Sequence, residues 1–163
     1  MVTGGKAKGG WRRLFADLTT NQRERLLAIL EEQAQEEGVE AGRLRGDAEG
    51  LRHLPEKRQQ LLAIAERESE HVRLLRAQIQ ALGGTPPGPR SPSPRKEQTL
   101  WERLVGDLEA EKEDLNAFLH AAHAAEETDP DVAALLLRIR DEEEANRRAL
   151  MELLAKSDPY AIG

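Results

Sequence analysis

The chain has 163 residues, a length that suits one domain, with a net charge of -6; charged residues make up 33%, apolar residues 39% and aromatics only 3%. Few aromatic and β-branched residues argue against a sheet, and an acidic surface repels phosphate backbones, so nucleic acid is not expected as a partner. There is no cysteine, which excludes disulfides, zinc–thiolate sites and thiol catalysis. No apolar run approaches the roughly 18 residues that span a bilayer, and the Gly- and Lys-rich start lacks the apolar stretch of a signal peptide. A cytoplasmic, membrane-free, all-α protein is therefore expected.

Residues 1–10 read as a flexible tail, and 11–18 as a short amphipathic piece. Thr19 and Gln22 have the spacing of a capping box, so a first long helix is expected from about Asn21 towards Ala48. Leu26, Leu27, Leu30 and Ala34 are its early apolar positions. Gly38, Gly42, Gly46 and Gly50 follow at intervals of four. On a helix they share one face and let a neighbour come close, yet each costs up to about 1 kcal/mol against alanine. Continuation and a break are both open there.

Pro55 suits the first position of a second helix running to about Leu82. Leu61, Ile64, Glu68, His71, Leu75, Ile79 and Leu82 step by three or four along one face, and Gly83 and Gly84 stop it. Residues 85–96, TPPGPRSPSPRK, are a proline-rich linker that forbids a helix. A third helix is expected from Glu97–Leu100 to about Glu127, with Leu104, Leu108, Glu111, Leu115, Phe118 and Ala122 on its inner line. Asp129 and Pro130 open a fourth, running to about Lys156, with Val132, Leu136, Ile139, Glu143, Asn146, Leu150 and Leu153 inward.

Four helices of roughly 25–30 residues are each about 40 Å long. Short turns make the first and second, and the third and fourth, antiparallel pairs. Fully extended, the connection over residues 83–96 reaches about 46–50 Å, enough to return along one helix. The expected fold is thus two helical hairpins joined by a long crossover, over residues 11–157, with a C-terminal tail at 158–163. Two internal echoes suggest a duplicated hairpin. Segment 61–75, LLAIAERESEHVRLL, aligns without a gap on 136–150, LLRIRDEEEANRRAL, at a shift of 75. Segment 11–18, WRRLFADL, echoes 101–108, WERLVGDL, at a shift of 90. The difference places about 15 extra residues in the first hairpin, expected in the glycine stretch and the turn before Pro55.

Glu68, His71, Glu111, Glu143 and Asn146 all fall on lines where the pattern predicts core. A buried carboxylate must protonate, pair or bind a cation. A bundle builds a dinuclear metal site from one Glu on each of two helices and Glu-x-x-His on each of the other two. These residues resemble the ferritin-like family, and within it the rubrerythrin-related branch. Glu68-Ser-Glu-His71 stands where the family has Glu-x-x-His; EKEDLNAF (111–118) is similar to its third-helix pattern; Glu143-Glu-Ala-Asn146 occupies the second Glu-x-x-His, with Asn for His. For the first helix, the shift of 75 leads from Glu111 to Glu36, while the apolar phase prefers Glu37; Glu36 is taken as the candidate.

The resemblance implies a ferritin-like antiparallel four-helix bundle holding two iron ions, or manganese, on Glu36, Glu68, His71, Glu111 and Glu143, with oxidoreductase or iron and peroxide handling as its activity. It departs from the family at Asn146, in lacking a tyrosine near the site and in lacking a cysteine-ligated iron module. Asn146 favours the alternative, a metal-free helical module acting in protein interaction. His120 and His123 read as surface residues. Trp11 and Trp101 read as packing anchors, on a face that could also form a homodimer.

Overall fold

The computed structural model describes residues 8–160 and 162, with side chains from Thr20 onward. It contains four helices: α1 (Lys8–Gly50), α2 (Pro55–Ala81), α3 (Leu100–Ala125) and α4 (Pro130–Ala155). There is no strand among the described residues. α1 packs on α2 and α3, and α4 packs on α3 and α2. The first half of α1 shares a cluster with the ends of α2 and α3 and the start of α4. α1 is therefore antiparallel to α2 and α3 and parallel to α4, an arrangement that requires the crossover between the two hairpins.

The apolar lines of α2, α3 and α4 are buried as their spacing predicts, except that Leu82, Leu108 and Leu115 are half-buried. The start of α4 is capped by Asp129, whose carboxylate accepts from the Val132 amide at 3.2 Å. α3 begins with a full capping box, in which Thr99 accepts from the Glu102 amide and Glu102 accepts from the Thr99 amide. Gly83 closes α2 at φ +76, a backbone conformation that favours glycine.

α1 corrects the expected first helix. It runs unbroken through Thr19, so the capping box expected there does not start a helix. Residues 8–10 open α1, and the rest of the expected tail, residues 1–7, lies outside the described residues. The glycine stretch stays helical because burial on both sides of it outweighs propensity: Val39, Ala41, Leu44, Ala48 and Leu51 are all buried. Its small side chains are used at two points. A Cβ at Gly50 would sit 3.0 Å from Leu100, and one at Gly42 3.3 Å from Pro92 of the crossover. Both hairpin turns hold four residues, 51–54 and 126–129. The extra length of the first hairpin therefore lies at the start of α1, which has 43 residues against 26 in α3, and not in the glycine stretch.

The crossover is tied down by ion pairs. Arg95 bridges Asp47 of α1 at 2.7 Å and Asp107 of α3 at 2.5 Å, and Arg103 reaches Asp47 at 2.6 Å. Both aspartates are buried. After α4 the chain turns back on the bundle, and Ile162 is buried in the cluster formed by the ends of α1 and α4 and the starts of α2 and α3. Trp101 packs on the same cluster, which leaves it a packing residue; the Trp11 side chain lies outside those described.

Replacing Arg95 with alanine leaves Asp107 buried with no ion-pair partner. The expected loss is about 2 kcal/mol, less than the ~3–5 kcal/mol of a fully buried pair because Arg95 keeps 20% of its side chain exposed. Urea unfolding of the variant against the wild type measures it, and an unchanged midpoint would refute the role given to this bridge.

Candidate metal centre

Apart from Val39 and Ala41, the buried apolar residues form two clusters, one at each end of the bundle. Between them lies a layer of buried polar groups: Glu37 and Glu40 from α1, Glu68 and His71 from α2, Glu111 from α3, Glu143 and Asn146 from α4. Each stands on its helix's inner face because the spacing of apolar residues puts it there. Along α1 and into the turn after it, Leu30, Ala34, Glu37, Ala41, Leu44, Ala48 and Leu51 step by four and three, and every member is buried.

The structure corrects the first-helix candidate. Glu36 is one residue, about 100°, out of this phase. Its side chain is 47% exposed and pairs with Arg90 of the crossover at 2.9 Å. Glu37 takes the inner position. Glu68, His71, Glu111 and Glu143 are all in the buried layer. His120 and His123 are exposed.

His71 is the hub. Its Nδ1 lies 2.5 Å from Glu143 Oε1, 3.1 Å from Glu37 Oε2 and 3.3 Å from Glu68 Oε2. Ligand atoms of these four residues all fall within 4.8 Å of one another. On the other side of the ring, Nε2 is 2.9 Å from Glu142 Oε2. To hold a cation at the centre, Nδ1 would give up its proton and offer its lone pair, while Glu142 held the other proton on Nε2, the arrangement that orients metal-binding histidines.

Asn146 is oriented in the opposite sense. Its Oδ1 accepts from Arg67 Nε, and its Nδ2 donates to Glu68 Oε1 at 2.5 Å. The amide thus turns its NH2 to the centre and its oxygen towards the guanidinium. Two residues went unread in the sequence, Glu40 of the layer and Glu142 at its rim. The heptad interval of Gln33, Glu40 and Asp47, all buried, is the signal that marks Glu40. Glu142 precedes Glu143 in an acidic run and carries no distinguishing spacing.

The charges do not balance. Burial works against charge on His71, but Glu143, Glu37 and Glu68 outweigh it and hold the imidazolium far above its ordinary range. Burial likewise pushes Glu68 up, and the closeness of His71 and then Glu37 brings it below the usual carboxylate value. The remaining carboxyls are pushed up. Burial followed by the charge of Glu68 takes Glu40 to about 9. Burial and then Glu40 take Glu111 to about 11. Burial takes Glu143 to about 7 against the pull of His71, and Glu37 also rises through burial despite its bond to His71.

Several oxygens of the layer have no hydrogen-bond partner: both of Glu111, Oε1 of Glu40, Oε2 of Glu68 and Oε1 of Glu143. The Glu68 and Glu143 oxygens approach His71 Nδ1 off the line a hydrogen bond needs. Orphaned, converging carboxylate oxygens beside an imidazole nitrogen are the donor set of a transition-metal cation, so the residues fit such an ion.

A family model for the ferritin-like domain matches residues 52–158. The chain belongs to the ferritin-like family. Among solved structures, it is similar to mycobacterial bacterioferritin, with a TM-score of 0.69 and 26% identity over 78% of this chain and 81% of that one. No curated protein matches the sequence. The matched family span covers α2, the crossover, α3 and α4, whereas α1, which carries Glu37 and Glu40, lies before it. No helix among the described residues is long and apolar enough to cross a membrane.

Two expectations follow for the metal-free protein. Glu40 and Glu111 have folded values above their unfolded 4.5. Their penalty is absent below that pH and grows as pH rises through the folded values, about 9 for Glu40. His71, also raised, acts in the same direction: its stabilisation is complete below about 6.5 and declines above. The metal-free protein should therefore melt at a lower temperature at pH 8.5 than at pH 6 in matched ionic strength, and the opposite order would contradict the burial of these groups. Separately, Glu111→Leu removes two orphaned oxygens and should stabilise the metal-free fold by about 1–3 kcal/mol in denaturant unfolding; destabilisation would mean that Glu111 has a partner.

Proposed function

We propose that the layer is a carboxylate-bridged di-metal centre, with iron as the expected metal, and that the protein handles iron or reacts it with dioxygen or peroxide. The observation that carries this reading is the convergence on His71 Nδ1 of three buried carboxylates drawn from α1, α2 and α4, with Glu111 of α3 orphaned beside them. Membership of the ferritin-like family and the likeness to bacterioferritin support iron as the metal.

In this reading Glu37 and His71 would hold one ion, Glu111 would hold the second, and Glu68 and Glu143 would contribute to both. Bound iron would supply one-electron exchange, which the protein's side chains cannot. The chain's own residues do the rest. Glu142 holds the proton of His71 on Nε2 and so fixes the tautomer and ring orientation. Asn146, anchored by Arg67, holds Glu68 through Nδ2. The apolar clusters above and below the layer keep bulk water from the carboxylates and strengthen their hold on a cation.

Elemental analysis of protein purified from iron-supplemented cells tests the reading. About two metal ions per chain are expected in the wild type, with the content falling in both His71→Ala and Glu68→Gln. If the wild type carries no metal under aerobic or anaerobic loading, and Glu111→Leu stabilises it under the same conditions, the layer is a vestige and the protein a metal-free helical module.

A further inference from the structure

The second position lacks a nitrogen donor, and Asn146 does not replace it, because its oxygen is turned to Arg67 and its NH2 to the centre. Another side chain stands nearby. Glu40 lies one turn beyond Glu37 on α1, is only 8% exposed and has an orphaned Oε1. Its direction follows from its stripe. Gln33, Glu40 and Asp47 repeat at seven residues on a buried edge of α1, and Asp47 on that edge reaches Arg103 of α3 and shares Arg95 with Asp107 of α3. The edge therefore faces α3.

The axial positions agree. Asp47 and Asp107 are level enough to share one guanidinium. In antiparallel helices, moving seven residues back on α1 and four forward on α3 leads to Glu40 and Glu111, offset by about 4–5 Å. Glu37 is offset by about 9 Å on the same count. Among the charged groups acting on Glu111, Glu40 acts most strongly. Both oxygens of Glu111 and one of Glu40 lack a partner.

Resting on the di-metal reading above, we propose that Glu40 is a ligand of the second metal position, which it completes with Glu111 as an oxygen-only site selective for hard divalent cations such as Mn2+. The two positions are then chemically unequal. The one at His71 offers imidazole and suits iron and cobalt, and the one at Glu40 and Glu111 offers carboxylate alone and suits manganese or magnesium. The chain thus favours a mixed-metal centre over a symmetric one.

The test is anaerobic titration of the metal-free, full-length protein with Mn2+ and with Co2+, stoichiometry being read by equilibrium dialysis and the cobalt site by its visible spectrum. The wild type should bind two Mn2+ per chain, and Glu40→Gln one. In both proteins the cobalt spectrum of the imidazole-containing position should be the same, which also reports that the variant is folded. Two Mn2+ bound by Glu40→Gln with affinity within about threefold of wild type would overturn the role of Glu40 and leave the di-metal reading standing. A wild type that binds only one ion overturns the second position, and one that binds none overturns the di-metal reading as well. If Glu40→Gln does not fold, anomalous diffraction from Mn2+-loaded wild-type crystals decides. A manganese peak within bonding distance of both Glu40 and Glu111 supports the proposal, and a peak that omits Glu40 overturns it.

Discussion

Burying a carboxylate without a partner costs several kcal/mol, and the waist of this bundle buries five of them, Glu37, Glu40, Glu68, Glu111 and Glu143, around one histidine. One imidazolium cannot neutralise five carboxylates. Without a cation the fold resolves the excess by protonation, which is why Glu40, Glu111 and Glu143 are all pushed upward. The rest of the molecule accommodates this layer. Two apolar clusters supply the burial that holds the helices together, and polar anchors at the rim, Glu142 and Arg67, fix the orientation of His71 and Asn146.

The crossover serves the same end. It must return along the bundle so that α3 and α4 run in the directions that bring Glu111 and Glu143 to the level of His71. Its ion pairs to Asp47 and Asp107 fasten α1 to α3 on the edge where Glu40 meets Glu111. A loose linker would leave the α1–α3 contact, which is less extensive than the packing within either hairpin, to hold by itself.

Much of the fold was legible in the sequence. Apolar residues at steps of three and four mark α2, α3 and α4, proline and glycine mark their ends, and the length of the proline-rich stretch marks the topology. The misreadings have physical causes. Thr19 and Gln22 have capping-box spacing, but nothing breaks the helix ahead of them, so the local signal loses to continuation of α1. Pairing the hairpins at one shift points to Glu36 instead of Glu37. The shift holds for α2 and α4, yet from α1 to α2 the ligands are one residue closer than from α3 to α4. The apolar phase of α1, a direct consequence of burial, is the better guide. Glu40 and Asp47 carry only a heptad interval as a signal, because acidic residues on a helix edge read as solvated, and only the pairing with α3 and the crossover buries them.

The division of the core into two clusters has a mechanical consequence. Each cluster is a short helical bundle in its own right, built from the same four helices, and the polar layer is the seam between them. Across that seam the described residues give little apolar packing beyond Val39 and Ala41 of α1; cohesion rests on continuity of the four backbones, together with whatever neutralises the carboxylates. Protons neutralise each carboxylate separately and tie nothing together, whereas a cation shared by ligands from several helices bridges them at one point. Under the proposed metal reading, filling the seam would join the two halves at one point, so occupancy at the centre would be felt as rigidity at both ends of the molecule.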